Sequence, residues 1–246
     1  YITWSLYPQK KAFIDGTIGI HGKNLWDDYI KALQLRIPLD ELAHKYKINY
    51  FLLMHMDPGS QLFIQHLAQQ KDWKLIYLDE ISLIFIYDKK DNQKVIQKYQ
   101  VHSGQVFASM GDKLEKKDID ILLYLSGLAN ILGEFRQAEL LYQKAISLFP
   151  RQAEFYHRLG ILYYNQNLPE QALEAYKKAG DLRPNYFGTY YGLGMCYVKK
   201  QEYLKAVEEF KHALSLNPRY AIAHYNLAVA YTKLPAPEVE LAREHL

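Results

Sequence analysis

Three groups of residues in the first sixty have types and spacing that could do chemistry. The loop Gly16-Thr17-Ile18-Gly19-Ile20-His21-Gly22-Lys23-Asn24 lies between a predicted strand and a predicted helix, where a phosphate loop would lie. A Walker loop places a glycine five residues before its Gly-Lys pair and a Ser or Thr after it, so that backbone N–H groups cradle phosphate and the hydroxyl meets magnesium. Here those two positions hold Thr17 and Asn24, and the dinucleotide spacing Gly-x-Gly-x-x-Gly is absent. The stretch therefore reads as a turn-rich loop. It leads into a helix that Asn24 caps, with Asp27 returning the contact. His55 and Asp57 flank Met56 and could give two metal ligands. A metal site needs three or four convergent groups, and no partner cluster accompanies them. Asp15 stands at the C-terminal end of a strand, where open α/β sheets bind ligands; it is either functional or turn-forming. Cys196 is the sole cysteine, which excludes an intrachain disulfide and a thiolate metal cluster. No nucleophile stands with a base. The expectation is no catalytic residue, no metal and no cofactor in this chain.

The elements that would position those residues are short. Lys11 to Asp15 reads as a strand. Leu25, Tyr29, Ile30 and Leu33 share one face of the helix after Asn24, and Pro38 opens another with Leu39, Leu42 and Ala43 inward. Ile48 to Met54 is a continuous apolar run of strand length, the pattern of a central parallel strand covered on both faces. Asp57-Pro58-Gly59-Ser60 starts a helix with Leu62, Ile64 and Leu67 inward. Trp73 to Leu78 and Ile81 to Tyr87 form a hairpin about Asp79-Glu80, and Asp91 to Val101 leads out as a helix. This order predicts a small three-layer α/β domain over residues 1–101, with a mostly parallel sheet and an antiparallel edge. Residues 102–118 are polar and read as a linker or short helix.

From about Ile119 the chain repeats every 34 residues. Pro150, Pro184 and Pro218 keep this spacing, as do Ala138, Ala172 and Ala206, and Ala145, Ala179 and Ala213. Tyr142, Tyr176 and Phe210 hold an aromatic in the same frame, and Leu125, Leu159 and Leu193 a leucine. This pattern resembles the tetratricopeptide repeat (TPR), a pair of antiparallel helices that stacks into a solenoid. The predicted array spans 119–246, as repeats 119–152, 153–186 and 187–220 and a partial fourth over 221–246. Small residues at Gly160 and Gly194 let the helices of a pair approach. Ala242 stands 11 residues after Tyr231, where earlier repeats use nine, so the fourth repeat carries a two-residue insertion.

In tetratricopeptide proteins the first helices line a groove that binds peptides or protein segments. The resemblance places His157, Ile161, Tyr164 and Asn165 in that groove, then Tyr191, Met195, Val198 and Lys199, then Tyr225, Val229, Thr232 and Lys233. Tyrosine offers contact area and a hydroxyl at low entropic cost, and the lysines favour an acidic partner. Chaperone adaptors of this family grip a peptide C-terminus with a Lys/Asn/Arg clamp. The clamp positions here hold Leu123, Gly127, Arg158, Gly188 and Gly192, and only Arg158 could donate charge, so that subclass is excluded. The array also resembles the repeats of the sugar transferase that modifies nuclear proteins, without its catalytic domain.

A second resemblance covers roughly residues 1–100. It rests on Tyr1-x-x-Trp4 with Leu6-Tyr7-Pro8, on Lys11-x-Phe13-Ile14-Asp15-Gly16, on Ile48-Asn49-Tyr50-Phe51-Leu52-Leu53, and on Asp72-Trp73-Lys74-Leu75-Ile76-Tyr77 before Leu83-Ile84-Phe85-Ile86. This is similar to the soluble extracytoplasmic tail of multi-pass lipid-linked-sugar glycosyltransferases, relatives of protein mannosyltransferases and oligosaccharyltransferases. Their catalytic carboxylates lie between membrane helices, so the resemblance implies a topology and no catalytic residue for this chain.

Composition sets the remaining bounds. The 246 residues are 49% hydrophobic and 23% charged, which suits about two globular domains. The net charge of +3 is spread evenly, +2 over residues 1–118 and +1 beyond, so it gives no electrostatic argument for nucleic acid, and none is expected as a partner. No apolar run reaches the about 18 residues of a membrane span. Tyr1 in place of an initiator Met, and a fourth repeat that stops short, read as a fragment, with membrane helices expected upstream and further repeats or a capping helix downstream. The favoured reading is the non-catalytic soluble region of a membrane-anchored protein, a glycosyltransferase by the second resemblance, on the extracytoplasmic face. Its array would bind a protein or peptide. The alternative is a cytoplasmic TPR scaffold whose α/β domain binds a small ligand.

Overall fold

The computed structural model describes residues 12–13, 28, 31, 34, 36–46, 48, 50–54, 61–78, 82–115 and 118–234. Asp15, the loop 16–24, His55-Met56-Asp57 and the hairpin turn Asp79-Glu80 lie outside them. The chain divides into two compact units, one of residues 1–114 with 124–138 and one of residues 115–123 with 139–246.

The first unit holds a four-stranded sheet in the order β1-β2-β4-β3. Its strands are β1 (Ala12–Phe13), β2 (Tyr50–Met54), β3 (Trp73–Leu78) and β4 (Ser82–Tyr87). Helix α1 (Leu39–Tyr46) precedes β2, and α2 (Gln61–Gln69) links β2 to β3. A 3-10 turn (Lys90–Asn92), α3 (Gln93–Tyr99) and α4 (Ser103–Lys113) follow β4.

Here the expected mostly parallel sheet is corrected. Among the described residues, only the two-residue pairing of β1 with β2 is parallel, Ala12 opposite Tyr50. β4 runs antiparallel to β2 along five residue pairs, Tyr50 opposite Ile86 through Met54 opposite Ser82, and antiparallel to β3 on its other side. The antiparallel strand is thus central and not at the edge. The physical reason lies in the apolar run Leu83-Ile84-Phe85-Ile86, all four residues buried. A strand apolar on both sides must be covered on both faces, and the centre of the sheet provides that. β3, with an interrupted burial pattern and a register shift between Leu75 and Tyr77, takes the edge.

The strand period of two sorts the core by face. Tyr50, Ile84 and Ile86 cluster with Ile76 and with Ile96 of α3. Phe51 points the other way, its ring 5.1 Å from Phe63 of α2, edge to face, and 4.7 Å from Trp73. Asn92, fully buried, donates its side-chain N–H to the Tyr87 carbonyl at 2.7 Å and so ties the 3-10 turn to the end of β4. The segment read as a linker contains α4, whose Phe107 is fully buried.

The remaining helices are α5 (Ile119–Ile131), α6 (Phe135–Leu148), α7 (Ala153–Asn165), α8 (Pro169–Leu182), α9 (Phe187–Lys199), α10 (Tyr203–Leu216) and α11 (Ala221–Thr232). The starts of α7, α9 and α11 follow the 34-residue frame, as do those of α8 and α10.

The turns inside the pairs repeat as well. Gly133, Asn167 and Gln201 all adopt positive φ, at 79°, 61° and 60°. After each, a backbone N–H reaches back five residues to a carbonyl: Glu134 to Ala129, Leu168 to Tyr163, Glu202 to Tyr197. This is the Schellman closure, which satisfies carbonyls that a helix end leaves open. Within a pair, an aromatic of the second helix covers a glycine of the first. A Cβ at Gly160 would lie 2.7 Å from the Tyr176 ring, and one at Gly194 2.5 Å from Phe210.

Candidate functional site

A cavity of about 350 Å³ lies among the helices of successive pairs in the second unit. Helix α7 supplies His157, Ile161 and Tyr164, and α8 supplies Tyr176. Helix α9 gives Phe187, Gly188, Tyr191, Gly192 and Met195. Two residues that precede helices, Tyr186 and Tyr220, complete the wall. The spacing of α7 and α9 creates this space. His157, Ile161 and Tyr164 fall on one face of α7 at intervals of four and three, and Tyr191 and Met195 do so on α9.

The rings brace one another. Tyr186 meets His157 edge to face at 4.9 Å, and Tyr220 meets Phe187 at 4.8 Å and Tyr191 at 5.2 Å. Such edge-to-face pairs contribute about 0.5–1.5 kcal/mol each beyond burial. The Tyr191 hydroxyl accepts a hydrogen bond from Asn226 Nδ2 at 3.0 Å, which pins the ring from the following repeat. Gly192 is where the walls come closest: a Cβ there would lie 2.5 Å from Tyr176 Cζ.

The charge state follows from burial. Burial first, then the nearby arginines, holds the His157 imidazole down to about 4, so it is neutral at neutral pH. Its Nδ1 lies 3.4 Å from Thr189 Oγ1. Burial pushes the Tyr191 hydroxyl up to about 12 and raises those of Tyr164, Tyr176 and Tyr220. Cys196, beneath the cavity in the cluster with Tyr176 and Leu193, is pushed up to about 12 and carries no thiolate at neutral pH. Two exposed cations lie over wall rings: Lys199 Nζ is 4.0 Å from the Tyr164 centroid and donates to the Tyr164 carbonyl at 2.8 Å, and Arg183 is 4.9 Å from Tyr186. The walls offer uncharged rings and hydroxyls, which suits binding through packing.

Among the residues singled out from the sequence, the structure brings His157, Tyr164 and Tyr191 together in this cavity, with Ile161 and Met195. Lys199 joins them by its position over Tyr164. Asn165, Tyr225 and Lys233 are not in its wall; all three are exposed, Tyr225 by 58%. Sequence reasoning missed Tyr186, Phe187, Tyr220 and Tyr176. Tyr186 and Tyr220 carry a usable signal, since each follows a repeat-end proline by two residues, but they lie just outside the first helices that define the groove in the repeat pattern. Among the described residues no group of three His, Cys, Asp or Glu could hold a metal ion.

Comparison with known proteins matches the repeat region. Residues 153–186 match the sequence model described as tetratricopeptide repeat, and residues 195–234 match a second, described as TPR repeat. No curated protein matches the chain by sequence. Among solved structures, a crystal structure of MamA is 22% identical, covers 69% of this chain and 92% of its own, and superposes with a TM-score of 0.52. An O-GlcNAc transferase mutant of Thermobaculum terrenum is 24% identical over 52% of this chain and 25% of its own, with a TM-score of 0.49. The first TPR of Spaghetti (RPAP3), bound to an HSP90 peptide, is 17% identical over 48% of this chain and 93% of its own, with a TM-score of 0.45. Residues 153–186 and 195–234 carry tetratricopeptide repeats.

Proposed function

We propose that the repeat array is a scaffold that binds a protein or peptide on the face formed by α7, α9 and α11. The observation that carries this is the braced aromatic cavity between successive repeats, with Lys199 beside it. Pre-organised rings lose little freedom on binding, and exposed apolar concavities on repeat arrays suit extended chains. Replacing Tyr191 and Tyr225 together with Ala is expected to weaken partner capture by about tenfold or more, because aromatic anchors dominate binding energy. Capture from membrane extracts at wild-type level, with circular dichroism unchanged, would sink the proposal.

The wider setting is the soluble, extracytoplasmic part of a membrane-anchored glycosyltransferase. What supports it is the motif series from Tyr1 to Ile86 in the first domain. Among the described residues no helix is long and apolar enough to cross a membrane, so the anchor belongs upstream in this reading. The full-length coding sequence tests it: several apolar stretches of about 20 residues before Tyr1 are expected, and a start at a Met with none of them overturns it.

A further inference from the structure

The cavity has a chemistry narrower than "peptide". Its interior is aromatic and apolar, lined by four tyrosines besides Tyr176, by Phe187, Met195 and Ile161, and by a neutral His157. No Asp or Glu lines it. Beside it stand Lys199 and Arg183, each exposed and seated on a wall ring. Among the described residues neither forms a salt bridge. The one nearby carboxylate felt by His157, Glu154, is held by Arg158 at 2.7 Å, and those two charges offset.

Two occupants can be weighed. An aromatic-lined hollow suits a cation when the ring faces are free and a carboxylate helps. Here the faces of Tyr164 and Tyr186 already carry the chain's own cations, which would repel another. An acidic ligand meets the opposite situation, because Lys199 uses one of its three N–H donors on the Tyr164 carbonyl and keeps two. Its ammonium and the Arg183 fork are placed to receive carboxylates. The volume of about 350 Å³ lies in the range of small ligand pockets, about 300–1,000 Å³, and is large enough for a bulky side chain.

We propose that this cavity takes one aromatic or large aliphatic side chain of a linear peptide whose flanking residues are acidic and meet Lys199 and Arg183. The inference rests on the peptide-binding reading above and sharpens it to one subsite and one partner chemistry. Specificity comes from both parts, because the ring walls reward the anchor and the cations reject basic sequences.

A random dodecapeptide phage library panned on the immobilised full chain tests this, with enriched peptides then synthesised and titrated by fluorescence anisotropy. Enriched sequences are expected to share Trp, Phe, Tyr or Leu next to two or more Asp or Glu. Met195→Trp fills the cavity, and Lys199→Glu with Arg183→Glu reverses its border; each is expected to lower affinity by about tenfold or more. Circular dichroism reports whether the fold holds, and Ile161→Phe replaces Met195→Trp if it does not. Basic or uncharged consensus sequences overturn the proposal. Enriched peptides that respond to Tyr225→Ala but not to cavity filling leave the peptide-binding reading standing and overturn this one. No enrichment at all counts against both.

Discussion

His157 shows how one buried side chain makes stability depend on pH. Its imidazole titrates near 6.5 when free and is held down to about 4 in the fold. The unfolded chain therefore binds a proton that the folded chain excludes as pH falls below 6.5, so stability is full above that value and is lost between about 6.5 and 4. A depression of this size corresponds to a loss of about 3 kcal/mol at the acid end. A series of denaturant melts from pH 7.5 to 4 is expected to show this slope, and His157→Gln is expected to flatten it; an unchanged slope removes His157 as its source. Two glycines make a second contrast. Nothing lies within 4 Å of a Cβ at Gly127, whereas one at Gly192 would lie 2.5 Å from Tyr176. Gly127→Ala is expected to stabilise the chain by about 0.5–1 kcal/mol through helix propensity, and Gly192→Ala to cost about 1–3 kcal/mol by overpacking. Thermal melts of both read the opposite signs directly.

At the scale of elements, the 34-residue repeat is a repeat of caps as much as of cores. Gly133, Asn167 and Gln201 occupy the same left-handed position. Glycine adopts it freely and asparagine tolerates it, but for glutamine it costs about 1–2 kcal/mol. Gln201→Gly is therefore expected to raise stability by about 0.5 kcal/mol after the entropy of a freer unfolded chain is deducted, visible as a small rise in melting temperature. The two-residue insertion read from the sequence in the fourth repeat lies beyond Leu234, outside the described residues. Repeat ends are tied by side chains too: the Tyr156 hydroxyl donates to the Pro150 carbonyl at 3.1 Å, and His224 Nε2 lies 2.9 Å from that of Pro218.

At the scale of the molecule, a stacked array is stabilised by nearest-neighbour interfaces, and it loses them in order. Leu227, fully buried between α10 and α11, belongs to the cluster with Ala206, Phe210 and Tyr231. Leu227→Ala is expected to cost about 2–5 kcal/mol. Hydrogen exchange is expected to lose protection first in α10 and α11, with α7 and α8 retained. Uniform loss across all the helices would mean that the array unfolds as one unit. A net +3 over 246 residues gives the chain as a whole little long-range electrostatic steering.

The repeat is legible from residue spacing alone, because identical spacings of Pro, Ala and aromatic residues record interfaces that recur and need no knowledge of the rest of the chain. The resemblance that this repeat carries also marked His157, Tyr164, Tyr191 and Lys199, because a repeat frame lets groove positions be carried from one first helix to the next. Strand order was not readable in this way. The apolar runs at 48–54 and 83–86 both announce strands covered on two faces, but a run does not say which neighbour it pairs with. Only the tertiary structure put β4 between β2 and β3. The cavity, too, was decided there. Tyr186 and Tyr220 stand outside the helices that carry the periodic signal, and their rings become walls only when successive repeats stack, with Gly188 of α9 leaving room for Tyr186.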